Sequence, residues 1–540
     1  MKVPPGSERA HGAVAVAAAA FVAYALLCPA VSGMGDGSEF TLVLATLGVA
    51  HPTGYPLYTL FGHAFGAVLH SVGVSWPLAA NLWSALGAAV AVGFLFALAH
   101  RLTRTIPGAD APTRFVAALI PTALFALQPI LLIDATASEV NAWSAAWACM
   151  AGFVFVRLQQ EIDAAGDGAV CDRRGALLWG LVCGVGLAHH LTSVLVSAPL
   201  TIALVVTLVH RRRAAASLVL AAALAACVPV ASYAFVAWRA WHPALVQWPV
   251  LTPSLAGVWE HVSGAQYRHY VGYFAPADDH RALIDHIALP FLVAGAAALA
   301  AGLMRARDAG ARTMWTGLAA AAALVVAFTF RYGVPDPAPY FMPAMALAAA
   351  AAAPGLAALA LPRMRGAALR LGAVLLAAAT IAVPWVREAA GWKREIDRYE
   401  ILIRSMWSAV PADSAIVFWP DDRYLRLREY QLLRDEKPAL LVLNPHLLLE
   451  DRTRAQLKQR FGVDPIEGHP VPAIEPGSPG EEVRIQQYFK QVIRDFNARI
   501  RTPVIIFDPS IPIVQQLRKP RDGSTPGGGP GAAPGPLRAH

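Results

Sequence analysis

The sequence predicts an α-helical protein that crosses a membrane many times and carries a C-terminal α/β domain. Three observations predict it. Of the 540 residues, 56% are hydrophobic and only 15% charged, with mean hydropathy +0.47, whereas soluble domains carry about 25% charge. Long charge-poor segments recur up to Val386. The basic residues between them are dense in every second loop and sparse in the others. That alternation reports topology, so the net charge of +8 does not call for a nucleic-acid partner.

The charge-poor segments lie near 12–31, 78–99, 115–133, 140–156, 176–188, 191–209, 214–238, 287–304, 313–330, 340–361 and 371–386, about eleven spans. Residues 176–209 are too long for one span and divide at His189-His190. Residues 1–32 resemble a signal peptide, but the apolar run is long enough to span, and an uncleaved signal-anchor is expected. One set of loops carries seventeen Lys and Arg, from Lys2 to Arg370; the other carries four, Arg239, Arg268, Arg281 and Arg331. The N-terminus is therefore expected in the cytoplasm of an inner-membrane protein, with the loop after the first span facing outward.

Residues 57–72 are expected to lie along the interface. Leu57, Leu60, Phe61, Ala64, Phe65, Val68, Leu69 and Val72 form one apolar stripe, with His63, Gly66, His70 and Ser71 opposite. After Val386 the pattern changes. Helices are expected at 393–409, 422–436, 446–461 and 481–500, and short strands at Ile416–Trp419, Leu440–Leu443 and Val504–Phe507. Strands alternating with helices predict a parallel sheet. The expected organisation is a membrane domain over 1–386, an extracytoplasmic α/β domain over 387–518 and a Pro/Gly-rich disordered tail over 519–540. Four cysteines fall in apolar segments and Cys171 in a charged loop, so no disulfide framework is expected.

Apart from the charged loops, acids and histidines collect in the loops expected outside. The first holds Asp36 and Glu39, followed by His51 and Tyr55. The next turn holds Asp134 and Glu139; the third, His189 and His190. The long loop over 239–286 holds His261, Gln266, Tyr267, Arg268 and Tyr270, and the last turn Arg331, Asp336 and Tyr340. Ionisable groups at a membrane are costly, which marks these loops as candidate sites. Simpler readings stand beside this one. Asp36 with Glu39 imitates a capping box, Asp134 and Glu139 can start a helix, and His189-His190 can be a polar helix break. A divalent metal is conceivable among these groups, but no HExxH or comparable spacing supports it. Asp421-Asp422, Asn444 and Asp508 follow expected strands, where ligands bind in parallel sheets; binding and a purely structural lid remain open there.

The pattern Asp36-Gly-Ser-Glu39, HPTGYPLY (51–58) and NLWSALGAA (81–89), then SEVNAW (138–143), GLAHHLT (186–192), WEHVSGAQYR (259–268) and DPAPYFMP (336–343), resembles a bacterial membrane family of unassigned function. That family groups with the eukaryotic transmembrane protein O-mannosyltransferase acting on plexin-type receptor domains. The resemblance covers roughly 12–345 and continues at FWPDDRYLRLREYQLL (418–433); Thr53 stands where the common turn has a second proline.

The resemblance implies a GT-C-like fold and transfer of a sugar, mannose by default, from a polyprenyl-phosphate donor to a hydroxyl of a protein or envelope glycan. No cofactor is required, since the lipid-linked sugar is a substrate. Carried over to this sequence, Asp36 matches the acid that contacts the acceptor, and Glu39 its neighbour. A carboxylate within reach of a hydroxyl suits base catalysis. His51, Tyr55, Glu139, His189, His190, His261, Tyr267, Arg268, Arg331, Asp336 and Tyr340 are the candidate substrate and donor contacts. Arg268, Arg331 and His190 are placed to stabilise a leaving lipid phosphate. A transporter or flippase of lipid-linked sugars, or a non-catalytic envelope scaffold, are the alternative classes.

Overall fold

The computed structural model describes residues 7–164, 173–212, 215–243, 246, 251–359, 367–410, 412, 416–419, 423–472, 481–500, 502 and 504–506. Cys171, Asp421, Asp422, Asp508 and the tail from 519 lie outside the described residues. The chain divides into two compact units. The first comprises Met1–Ile403 with Leu425–Arg434 and Ala473–Glu481; the second comprises Arg404–Tyr424, Asp435–Pro472 and Glu482–His540.

Among the described residues of the first unit, six helical spans are long and apolar enough to cross a membrane: Trp76–Thr105, Leu191–His210, Ala216–Trp241, Asp278–Arg305, Ala309–Thr329 and Ala338–Ala358. Ala111–Leu127 and Pro129–Thr136, bent by 62°, make a seventh if taken together. The bend falls where Gln128 leaves the helix and its side-chain oxygen caps the next one through the N–H of Ile130, just before Pro129. The other expected spans also fold as helices, Ser7–Leu27, Asn141–Ala164, Arg173–His189 and part of Ala367–Ala409. The protein is a multi-pass membrane protein.

Small residues let these helices approach. A Cβ on Gly180 or Gly184 would fall 2.0 Å and 2.3 Å from the carbonyl oxygens of Ala222 and Ala226, so Arg173–His189 packs directly on the Ala216–Val230 helix. The core of the unit lies around Trp76–Leu102, with Ala88, Val92, Leu95 and Phe96 packed among Phe155, Met345 and Leu347.

Pro56–Ser71 forms a helix that buries its small and polar face, including Thr59, Gly62 and Gly66, and leaves Phe61, Val68 and Val72 exposed. His63 Nδ1 lies 2.7 Å from the Leu44 carbonyl and its ring stacks on Trp76. An apolar stripe facing away from the protein suits a helix bathed in lipid or interface.

Two expected segments, 371–386 and 393–409, are one helix, Ala367–Ala409. The charges at Arg387 and Glu388 end a hydrophobic run without ending the helical backbone. In the second unit three short parallel strands, β1 (Ile416–Phe418), β2 (Leu441–Leu443) and β3 (Val504–Ile506), pair in the order β2-β1-β3, Ile416 facing Leu441 and Val504. Phe418, Leu448, Leu457, Phe489, Val492 and Phe496 fill its core. Asn444 after β2 is buried, and its side-chain oxygen accepts from the N–H of His446, capping the short helix Pro445–Leu449.

Candidate active site

Loop conformation sets the site. Asp36 is the N-cap of the helix Gly37–Thr46, yet its side chain makes no capping hydrogen bond. Its carboxylate is 37% exposed, with Oδ2 3.8 Å from His51 Nδ1. Glu39, one turn into the helix, is 3% exposed. Its Oε1 accepts from the backbone N–H of His51 at 2.6 Å and lies 3.1 Å from His51 Nδ1. The two acids thus take different parts: Glu39 anchors His51, and Asp36 keeps an accessible face.

His51 opens the HPTGYP turn. Gly54 has φ +87°, and a Cβ there would meet His261 Nε2 and Val236 at 3.2 Å, so the turn needs glycine both for its backbone and for the close approach. Tyr55 follows, its hydroxyl 3.2 Å from His51 Nε2. Burial opposes the charge on His51, but the carboxylates of Glu39 and Asp36 outweigh it and lift His51 to about 9. At neutral pH a cation therefore sits between two acids.

Seven aromatic side chains close a circuit beside these groups. His51 meets Tyr55 with centroids 5.3 Å apart, Tyr55 meets His190 at 5.6 Å, and His190 meets Tyr340 at 6.0 Å. Tyr340 meets Tyr332 at 5.2 Å, Tyr332 meets Tyr270 at 6.4 Å, Tyr270 meets Tyr267 at 6.2 Å, and Tyr267 returns to His51 at 6.4 Å. Two loops are zipped together to bring this about. Val271 bridges Tyr332, the N–H of Gly272 donates to the Arg331 carbonyl at 2.8 Å, and that of Gly333 to the Tyr270 carbonyl at 2.7 Å.

Of the remaining candidates, Glu139 is half-buried, and its backbone N–H donates to Ser84 Oγ while its carbonyl accepts from the same hydroxyl, both at 2.9 Å. Burial and the carboxylates of Asp36, Asp134, Asp336 and Glu39 push Glu139 well above the usual carboxylate range. Glu139 therefore senses four other acids. Asn81, in the same NLWSALGAA segment as Ser84, donates to the carbonyls of Pro29 and Val31, so one helix face fixes both loops.

His190 accepts through Nδ1 from the Thr192 N–H at 3.2 Å. Burial, then His189 and His51, lower it to about 3, which leaves a neutral imidazole with Nε2–H as donor. As an aid to a phosphate it offers a hydrogen bond without a charge. His189 lies 3.1 Å from both the Val140 carbonyl and Ser144 Oγ, a tie between helices. His261 is buried against Gly54, and burial lowers it to about 4. Arg268, Arg331 and Asp336 are exposed, and neither arginine forms an ion pair among the described residues.

Asp36, Glu39 and His51 each offer a ligand atom, all within 4.8 Å of one another. A divalent cation could be held there only by displacing the proton of His51.

Three contributors escape a reading of the sequence. Tyr332 completes the circuit although its position looks like ordinary turn aromaticity. Arg426 and Glu429, on the helix Arg423–Arg434, are 2% and 3% exposed. Arg426 donates to the carbonyls of Ser32 and Gly33, and Glu429 accepts from the hydroxyls of Ser32 and Ser38. The signal available was the 418–433 motif, to which no role could be attached.

The fold and site define a helical multi-pass membrane protein with an acid–histidine centre ringed by aromatic side chains. Comparison with known proteins makes this more specific: residues 36–216 match the family model described as the Protein O-mannosyl-transferase TMEM260 N-terminal domain. The chain is 25% identical over 177 residues to Protein O-mannosyl-transferase tmem260 of Dictyostelium discoideum, covering 32% of this chain and 20% of that protein. It is 35% identical over 111 residues to Protein O-mannosyl-transferase TMEM260 of Mus musculus, covering 19% of this chain and 15% of that one. The chain thus spans a fifth or less of these curated relatives. The apo Archaeoglobus fulgidus oligosaccharyltransferase aligns with TM-score 0.45 at 12% identity, over 80% of this chain and 65% of that one.

Proposed function

We propose that the protein is a membrane glycosyltransferase that moves a sugar, mannose by default, from a polyprenyl-phosphate donor to a hydroxyl of a protein or envelope glycan. The observation that carries the reading is Asp36: an accessible carboxylate, unused as a cap, beside a buried Glu39–His51 pair and a ring of aromatic side chains. The match of residues 36–216 to an O-mannosyltransferase domain supports it.

In this reading the acceptor hydroxyl enters beside Asp36, which takes its proton as the oxygen bonds to the anomeric carbon. The bond from that carbon to the phosphate oxygen breaks with inversion, and the electron pair leaves on the polyprenyl phosphate. Such base catalysis contributes on the order of 10²–10⁴-fold. Glu39 and His51 hold Asp36 in a fixed field, His51 supplying the nearby positive charge. The exposed Arg268 and Arg331, with the Nε2–H of His190, are the groups able to receive the leaving phosphate. Tyrosine faces and edges suit a sugar, whose C–H surfaces and hydroxyls need both apolar and polar contact.

The test is sugar release from radiolabelled polyprenyl-phosphate mannose in membranes containing wild type or Asp36→Asn at equal expression. Turnover by wild type, with loss of roughly 10²-fold or more in the variant, is the expected result. Equal release by both would remove Asp36 as the base.

A further inference from the structure

We propose that Arg426 and Glu429 are positioning residues of the candidate active site: they clamp the loop Ser32–Ser38 and so fix the carboxylate of Asp36. The proposal rests on the reading of Asp36 as the base.

The loop cannot fix itself. Glycines stand at 33, 35 and 37, and Gly35 has φ +60° with nothing near its missing side chain. Glycine carries the largest backbone freedom of any residue, while a catalytic group must be held to about 0.5 Å. Restraint has to come from outside, and the contacts run to both sides of Asp36. Upstream, Arg426 donates to the Ser32 carbonyl and, at 2.9 Å, to the Gly33 carbonyl. Downstream, Glu429 accepts from the Ser38 hydroxyl at 3.1 Å, and it also accepts from that of Ser32. Gly33 is backed by Ala137, where a Cβ would stand only 2.9 Å from the Ala137 Cβ.

The charges are arranged for this task. Arg426 lies 3.4 Å from Glu429 and 3.5 Å from Glu400, whose carboxylate also accepts from the Tyr430 hydroxyl at 2.8 Å. Charged side chains this buried are rare on helices and are tolerated only when paired. The guanidinium turns Nη2 to both carbonyls and Nη1 to Glu429 and Glu400, a fork that the single nitrogen of an ammonium cannot reproduce. Serines at 32 and 38 supply the matching donors to one carboxylate.

The experiment uses the full chain with Arg426→Lys, Glu429→Gln, Asp36→Asn and the double variant Asp36→Asn/Arg426→Lys. Gln and Asn preserve the size of the acids they replace, and Lys keeps the charge and the aliphatic stem of Arg426. Hydrogen–deuterium exchange reads the clamp directly. Exchange in peptides covering 32–40 should rise about tenfold in Arg426→Lys and Glu429→Gln, with peptides of Trp76–Leu102 unchanged. Turnover of polyprenyl-phosphate mannose reads the consequence. Each clamp variant should lose about tenfold or more in kcat with little change in KM, and Arg426→Lys should cost nothing further once Asp36 is Asn. Unchanged exchange over 32–40 would overturn the clamp whether or not the mannose donor is turned over. Raised exchange with wild-type kcat, while Asp36→Asn is inactive, would overturn the positioning role and leave a merely structural one. Wild-type turnover by Asp36→Asn would instead overturn the reading of Asp36, and the role built on it.

Discussion

His51 is the residue on which the charge balance of the site depends. It faces Glu39 and Asp36 through one ring nitrogen, and their charges raise it from 6.5 to about 9. A raised histidine contributes stability in full below its unfolded value and loses it as the pH climbs through the folded value. The protein should therefore lose stability as pH rises through about 9, and His51→Gln, already lacking the charge, should show little further change there. Thermal unfolding in detergent between about pH 7 and about pH 10 checks this; parallel profiles for wild type and variant would mean that His51 carries no proton at neutral pH. Asp36, Glu39 and His51 were legible in the sequence because all three lie within sixteen residues. Their different parts were not, because the exposure of a carboxylate depends on how its loop folds. Arg426 and Glu429 were illegible for a harder reason. An Arg and a Glu three apart on a polar helix read as a solvated pair, and their partners are more than 390 residues away.

Among elements, periodicity carried the most information. The stripe over 57–72 predicted the helix Pro56–Ser71, and Leu60, Phe61 and Val68 of that stripe are exposed. The three short apolar runs near 416, 441 and 504 are the three parallel strands. Charge misled where it was taken as a helix boundary, within Ala367–Ala409. What periodicity could not reveal is how the Pro56–Ser71 helix is seated, which rests on close contacts at Gly62 and Gly66. A Cβ on Gly66 would stand 2.5 Å from the Trp76 ring. Gly66→Ala should therefore lower stability by about 1–3 kcal/mol, the usual range for overpacking. Gly355→Ala, on the helix Met342–Leu359 with nothing within 4 Å of the new atom, should be neutral or stabilise by about 0.5–1 kcal/mol. Thermal unfolding of the two variants separates close packing from the general effect of replacing a helical glycine; equal shifts would show that the Trp76 contact yields freely.

At the scale of the whole molecule, no single stretch of chain contains the site. Its acids and aromatic groups come from 36–55, 139, 190, 267–270 and 332–340, each at a junction between helices. The segment matched to the O-mannosyltransferase domain ends at 216, so Tyr267, Tyr332 and Tyr340 join the site from outside it. Junctions that follow alternate spans must all lie on one side of the membrane to converge, and the arginine count predicts that this is the outer side. Basic residues crowd the opposite loops, and short loops rich in Lys and Arg stay in the cytoplasm. His269 beside the aromatic circuit and Arg307 in a basic loop are both exposed, which makes them suitable reporters. In intact cells a membrane-impermeant maleimide should label His269→Cys and spare Arg307→Cys until the membrane is permeabilised. The five native cysteines, Cys28, Cys149, Cys171, Cys183 and Cys227, set the background in the unmodified chain. Labelling in the reverse order would put the site in the cytoplasm, where Asp36 would meet cytoplasmic hydroxyls in place of secreted or envelope acceptors. Labelling of both sites in intact cells would break the alternation itself, and with it the argument that the five junctions share a face.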